Sequence, residues 1–99
     1  MPAKLKELVP AFEDSGWQVS LTDRMVEGRK ECGRKFFTLR ARIAAEGYEV
    51  FLEKGGPVSL RPLSLFLEKK EEIQEIMEAR CPIEAFSLIS MRQFKNARA

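Results

Sequence analysis

The stretch FFTLRARIAAEGYEVFLE, residues 36–53, decides how this chain folds. Successive side chains of a β-strand point to opposite faces. Phe37, Leu39, Ala41 and Ile43 therefore share one face of a strand, and Phe36, Thr38, Arg40 and Arg42 share the other. A short turn at AEGY leads into a second run, in which Tyr48, Val50 and Leu52 oppose Glu49, Phe51 and Glu53. Two such runs joined by a few turn residues read as an antiparallel hairpin with one apolar face.

Working upstream, Trp17, Val19 and Leu21 repeat the alternation against Gln18, Ser20, Thr22 and Arg24. EGRKECGRK, residues 27–35, has two glycines and no apolar alternation, so it reads as a long hairpin loop. Before Trp17, helical spacing of Leu5, Leu8, Val9 and Phe12 predicts an amphipathic helix over 3–14, kinked or shortened by Pro10 and stopped by DSG.

Downstream, KGGP turns into a short fourth strand, VSLRP, with Val58 and Leu60 toward the core. Pro57 and Pro62 place it at an edge. A second helix is expected over about 64–80, with Ser64 as N-cap and a buried stripe of Phe66, Leu67, Ile73, Ile76 and Met77. CP at 81–82 ends it. The remaining tail carries Ile83, Phe86, Leu88, Ile89, Met91 and Phe94, either as a third helix starting at Pro82 or as a strand through 86–91. The expectation is an α+β domain over 1–81: an N-terminal helix, a four-stranded antiparallel meander, and a long helix packed on one sheet face. A C-terminal hydrophobic tail, 82–99, follows and would bury itself against a second copy of the chain as a homodimer.

Composition narrows the function. The 99 residues are 44% hydrophobic and 32% charged, enough for one core without metal or disulfide support. No apolar run approaches the roughly 20 residues that span a bilayer, and MPAKLKELVP has no signal-peptide pattern, so a cytoplasmic protein without membrane contact is expected. With no histidine there is no ordinary Ser-His or Cys-His pair, and KGGP lacks the lysine of a phosphate loop. No enzyme activity, metal or cofactor is expected. Glu49 and Glu53 are expected to pair across strands with Arg40 or Arg42. One asparagine and three glutamines beside abundant Lys, Arg and Glu resemble a thermophile's composition. In such a cell Cys32 and Cys81 could be free or bonded to each other.

The net charge of +2 is unevenly spread. Seven of the seventeen basic residues lie between Arg24 and Arg42, and residues 24–42 sum to +5. Phe36 and Phe51 stand among them on the face that carries Arg24, Arg40 and Arg42. Rings on an open sheet can stack unpaired bases, at about 1–3 kcal/mol each, while arginines hold phosphates. Single-stranded nucleic acid, bound with little sequence preference, is the expected partner. Arg29, Lys30, Arg34 and Lys35 would extend the track from the loop. The alternative is a protein-interaction or structural dimer module, with the rings covered and the arginines engaged by Glu49 and Glu53.

From LKELVPAFEDSGWQVSL to SLFLEKKEEIQEIMEA, the order of elements resembles the ThermoDBP-related proteins, single-stranded DNA-binding proteins of thermophilic archaea. GRKFFTLRARI…YEVFLEKGGPVSLRPLSLFLEKKEEIQEIM is also similar to the whirly or positive-cofactor fold, from which the N-terminal helix and the tail depart. Both resemblances imply single-stranded DNA binding. They would place it on Arg24, Lys35, Phe36, Arg40, Arg42 and Phe51, with a C-terminal dimerising segment in the first family.

Overall fold

The chain forms five strands, one more than its alternation predicts. In a computed structural model, which describes residues 3–98 and the side chains of 5–59 and 61–95, they are β1 (Gln18–Leu21), β2 (Val26–Cys32), β3 (Lys35–Ala44), β4 (Gly47–Gly55) and β5 (Leu60–Leu67). They form one sheet in the order β1-β2-β3-β4-β5, and every neighbouring pair is antiparallel. Helices α1 (Ala3–Lys6), α2 (Leu8–Asp14), α3 (Lys70–Glu78) and α4 (Pro82–Arg98) complete the described residues. None is long and apolar enough to cross a membrane.

The N-terminal helix is broken at Glu7 into α1 and α2. Pro10 has no N–H to give the Lys6 carbonyl one turn back, which accounts for the break. At the other end of α2, Gly16 adopts φ +83°. Its N–H bonds the Glu13 carbonyl at 3.1 Å, and the Trp17 N–H bonds the Phe12 carbonyl at 2.9 Å. That is a Schellman stop, and its usual hydrophobic contact is the Phe12–Trp17 edge-to-face pair at 5.7 Å. The chain thus enters β1 with Trp17 already against the core.

Residues 27–35 correct the loop expectation. Six of them lie in β2, and the β2–β3 connection is only Gly33-Arg34, with Cys32 paired to Lys35. The run from 64 is corrected too. Leu63, Leu65 and Leu67 alternate and pair with Leu52, Val50 and Tyr48, so Ser64, Phe66 and Leu67 belong to β5, and α3 begins only at Lys70. An extra β5 residue sits opposite the Leu52–Lys54 step, where Pro62 lacks a ladder donor. Val58 lies in the turn before β5 and is 65% exposed, not in the core. The side chain of Leu60 lies outside the described residues.

The core forms where parity requires. Phe37, Leu39, Ala41, Tyr48, Val50 and Leu52 are buried under Leu5, Leu8, Phe12, Ile73, Ile76, Met77, Phe86 and Ile89. The tail is therefore a helix from Pro82, and one of its faces joins this core. The Trp17 indole N–H donates to the Met77 carbonyl at 2.9 Å. It satisfies one of the last carbonyls of α3, which have no partner inside the helix. Cys32 and Cys81 are both free thiols.

Candidate nucleic-acid interface

Strand register sets the composition of the helix-free face. One row crosses it as Gln18, Arg29, Thr38 and Glu53, and the next as Ser20, Glu27, Arg40, Phe51 and Ser64. Arg42 and Glu49 lead to Phe66, while Glu31 and Phe36 lead to Gly55. On β2–β4, three arginines therefore meet four glutamates, so the middle of this face is not a cationic track.

The arginines of β3 are engaged as the cross-strand rule anticipates. Arg40 lies between two carboxylates: its Nε donates to Glu27 Oε1 at 3.0 Å, and its terminal nitrogen pairs with Glu53 Oε1. The hydrogen bond to Glu53 raises the guanidinium pKa further, against the opposing effect of burial. Arg42 pairs with Glu49 and also lies 5.6 Å from the centre of the Phe51 ring. The charge of each arginine is already matched by a carboxylate, which weakens its attraction for phosphate.

Phe36 and Phe51 are half-buried. Phe36 lies across Gly55, where an added Cβ would fall 2.1 Å from the Phe36 Cζ. Arg29 is over the ring, 4.2 Å from its centre. A guanidinium stacked on the ring at that distance is a cation–π contact.

The other sequence-derived candidates disperse. Lys30 is on the helix side: its Nζ donates to the Ser15 carbonyl at 3.2 Å and lies 5.9 Å from the Trp17 ring centre. Arg24 sits in the Thr22–Met25 turn, held by the Thr22 hydroxyl at the end of the sheet away from Gly33. Arg34 and Lys35 are exposed at the β2–β3 turn. The β4–β5 turn closes on them, since a Cβ at Gly56 would lie 2.8 Å from the Arg34 carbonyl oxygen. That contact brings in two cations the sequence reading missed. Lys54 pairs in register with Phe37, and Arg61 follows Leu60, the other partner of Lys54. Arg34, Lys35, Lys54 and Arg61 have no ion-pair partner among the described residues. Extending the β3–β4 register to Lys54 would have found the first; the second depends on the bulge.

No family model, curated protein or solved structure matches the chain.

Away from the sheet, α4 keeps an apolar strip on its outer side. Leu88 is 54% exposed and Met91 58%. Ala79, Ala85 and Leu88 floor a groove between α3 and α4 that is rimmed by Glu75, Glu78 and Arg92.

Proposed function

We propose that the chain binds single-stranded nucleic acid at the hairpin end of its sheet, where Arg34, Lys35, Lys54 and Arg61 gather at the rim, Lys35 and Lys54 on the Phe37 side of their strands and Phe36 on the open side. The observation that carries this reading is the set of four cations without carboxylate partners, gathered where the β2–β3 and β4–β5 turns touch. One carboxylate of the open face, Glu31, stands at this end. Unpaired cations can neutralise phosphates, and the outer face of the Arg29 guanidinium, stacked on Phe36, offers a planar surface to an unpaired base. Arg40 and Arg42 act differently in this reading: they fix the sheet surface beneath the strand and do not hold its phosphates.

The test is binding of a labelled 12-nucleotide oligo-dT. Three phosphate contacts to a single strand predict that affinity falls about tenfold or more between about 50 mM and 200 mM salt. A Lys35→Glu/Lys54→Glu double variant should lose most of the affinity, while Arg40→Met should stay within about twofold of the parent. Absence of binding at about 50 mM salt, or equal loss in both variants, would reject the reading.

A second copy of the chain is the partner that α4 fits. With two α4 helices antiparallel and Leu88 of one copy against Met91 of the other, Glu84 of each faces Lys95 of the other. The contact is thus self-complementary in charge as well as apolar at its centre, as a two-fold interface requires. Light scattering at micromolar concentration should give twice the chain mass, and Leu88→Glu should return it to one.

A further inference from the structure

The open face carries a depression that phosphate chemistry does not explain. Gln18, Ser20, Arg29, Phe36, Thr38 and Glu53 are among its walls, and it encloses about 490 Å³. The small Thr38, 8% exposed, stands between Arg29 and Glu53 in one cross-strand row. Adjacent strands are about 4.8 Å apart, so the main chains under Arg29 and Glu53 are separated by roughly 10 Å with only a threonine between. A flat ring fits such a gap.

The walls differ in hydrogen-bonding sense. On one side Arg29 has no carboxylate partner among the described residues, and its guanidinium is stacked on Phe36. All its N–H donors remain available. On the other side, across Thr38, Glu53 Oε1 accepts from Arg40, as does Oε1 of Glu27, two residues from Arg29 on β2, and no hydrogen bond among the described residues occupies either Oε2. Two carboxylates around one guanidinium leave one negative charge. The depression therefore repels phosphate on that side and offers acceptors to a neutral ligand.

We infer that this depression is a base pocket selective for guanine, filled by one base of the strand proposed above. The inference rests on that single-strand reading. Guanine presents two acceptors, O6 and N7, along one edge, which is the edge arginine reads bidentately. Beside them, N1–H and the N2 amine are adjacent donors that a carboxylate can accept. Adenine and cytosine each place an acceptor ring nitrogen next to their amine, and thymine or uracil flanks its one N–H with carbonyls. Guanine alone matches donors from Arg29 and acceptors from Glu53 or Glu27 at once. The Phe36 ring, between Gly55 and the guanidinium, holds Arg29 in place by stacking, and the strand's phosphates continue over the rim toward Arg34.

The experiment compares 12-nucleotide strands at about 50 mM salt: oligo-dT, oligo-dT with one central dG, the same strand with inosine in place of that dG, and free GMP. The dG strand should bind about tenfold tighter than oligo-dT. Inosine lacks the N2 amine and should lose most of that gain. Arg29→Met should bring the dG strand down to the oligo-dT level while oligo-dT binding persists, and its thermal melt serves as the folding control. Equal affinity for the dG and oligo-dT strands overturns the guanine pocket and leaves the single-strand reading standing. Inosine binding as well as guanine also overturns it, because the carboxylate contact is then absent. No binding to any strand, with GMP bound, removes the strand reading and leaves a nucleotide site. No binding to anything removes both.

Discussion

The two faces of the sheet share their strands and almost nothing else. On the covered face, Leu39, Ala41, Val50 and Leu52 are at most 1% exposed and meet Leu5, Leu8, Phe12, Ile73, Ile76 and Met77. On the open face the same strands carry Arg40 between Glu27 and Glu53, Arg42 against Glu49, and two half-buried rings under guanidinium groups. The covered face excludes water and so holds most of the folding free energy, roughly 25 cal/mol per Å² of apolar surface. The open face pairs its charges within reach of water, where each exposed pair contributes at most about 1 kcal/mol. Charge on a strand is therefore a poor guide to charge available to a ligand. What remains available is set by which cations the register leaves without a carboxylate opposite them.

The sharpest way to break this contrast is to remove a ring from each side. Phe12→Ala should cost about 3–5 kcal/mol of unfolding free energy in urea melts. Phe51→Ala, on the open face, should cost about 1 kcal/mol or less, and similar values for the two would erase the distinction. A smaller effect of the same kind separates two glycines. An added Cβ at Gly28 would lie 2.2 Å from the Phe12 ring, which is fully buried and has nowhere to move. Gly28→Ala should therefore destabilise by about 1–3 kcal/mol. Gly55→Ala produces an equally close approach to Phe36, but that half-exposed ring can swing outward, so the loss in thermal melts should be well under half as large.

The smallest expected effect is a slope in pH. Burial, with Glu7 and Glu71 adding to it, raises the Tyr48 phenol above its ordinary value of 10. The folded chain then keeps this proton to higher pH than the unfolded chain. The resulting stability is fully present below about pH 10 and is lost as pH rises through the folded value. Urea midpoints between about pH 8 and 11 should fall more steeply for the parent than for Tyr48→Phe, which removes the chain's single tyrosine.

Residues 36–53 were legible because their alternation is strict, and with it the pairing of Glu49 and Glu53 with Arg40 or Arg42; which arginine meets which glutamate is set by the register. β2 was not legible, for a reason its covered side makes plain. Val26, Gly28 and Lys30 occupy it, and only the first looks apolar. Gly28 is buried because the Phe12 ring fills the space its side chain would take, and Lys30 lays its stem across the sheet to reach the Ser15 carbonyl. The strand signal was supplied by a neighbouring helix and so left no period in the sequence. Leu65, Phe66 and Leu67 misled in the opposite way, since three consecutive apolar residues satisfy either a helix or a strand. For the candidate site, Arg34, Lys35 and Phe36 were legible from composition. Lys54 and Arg61 join them only through the contact between two turns.

The bond from the Trp17 indole to the Met77 carbonyl has a practical consequence. The chain holds one tryptophan, and it is 3% exposed on the helix side of the sheet. Its emission should be that of a water-shielded indole and should shift to the red when α3 leaves the sheet. A ligand seated on the opposite side should leave that emission unchanged, so one optical signal tracks the integrity of the fold while any titration of the open face proceeds without disturbing it.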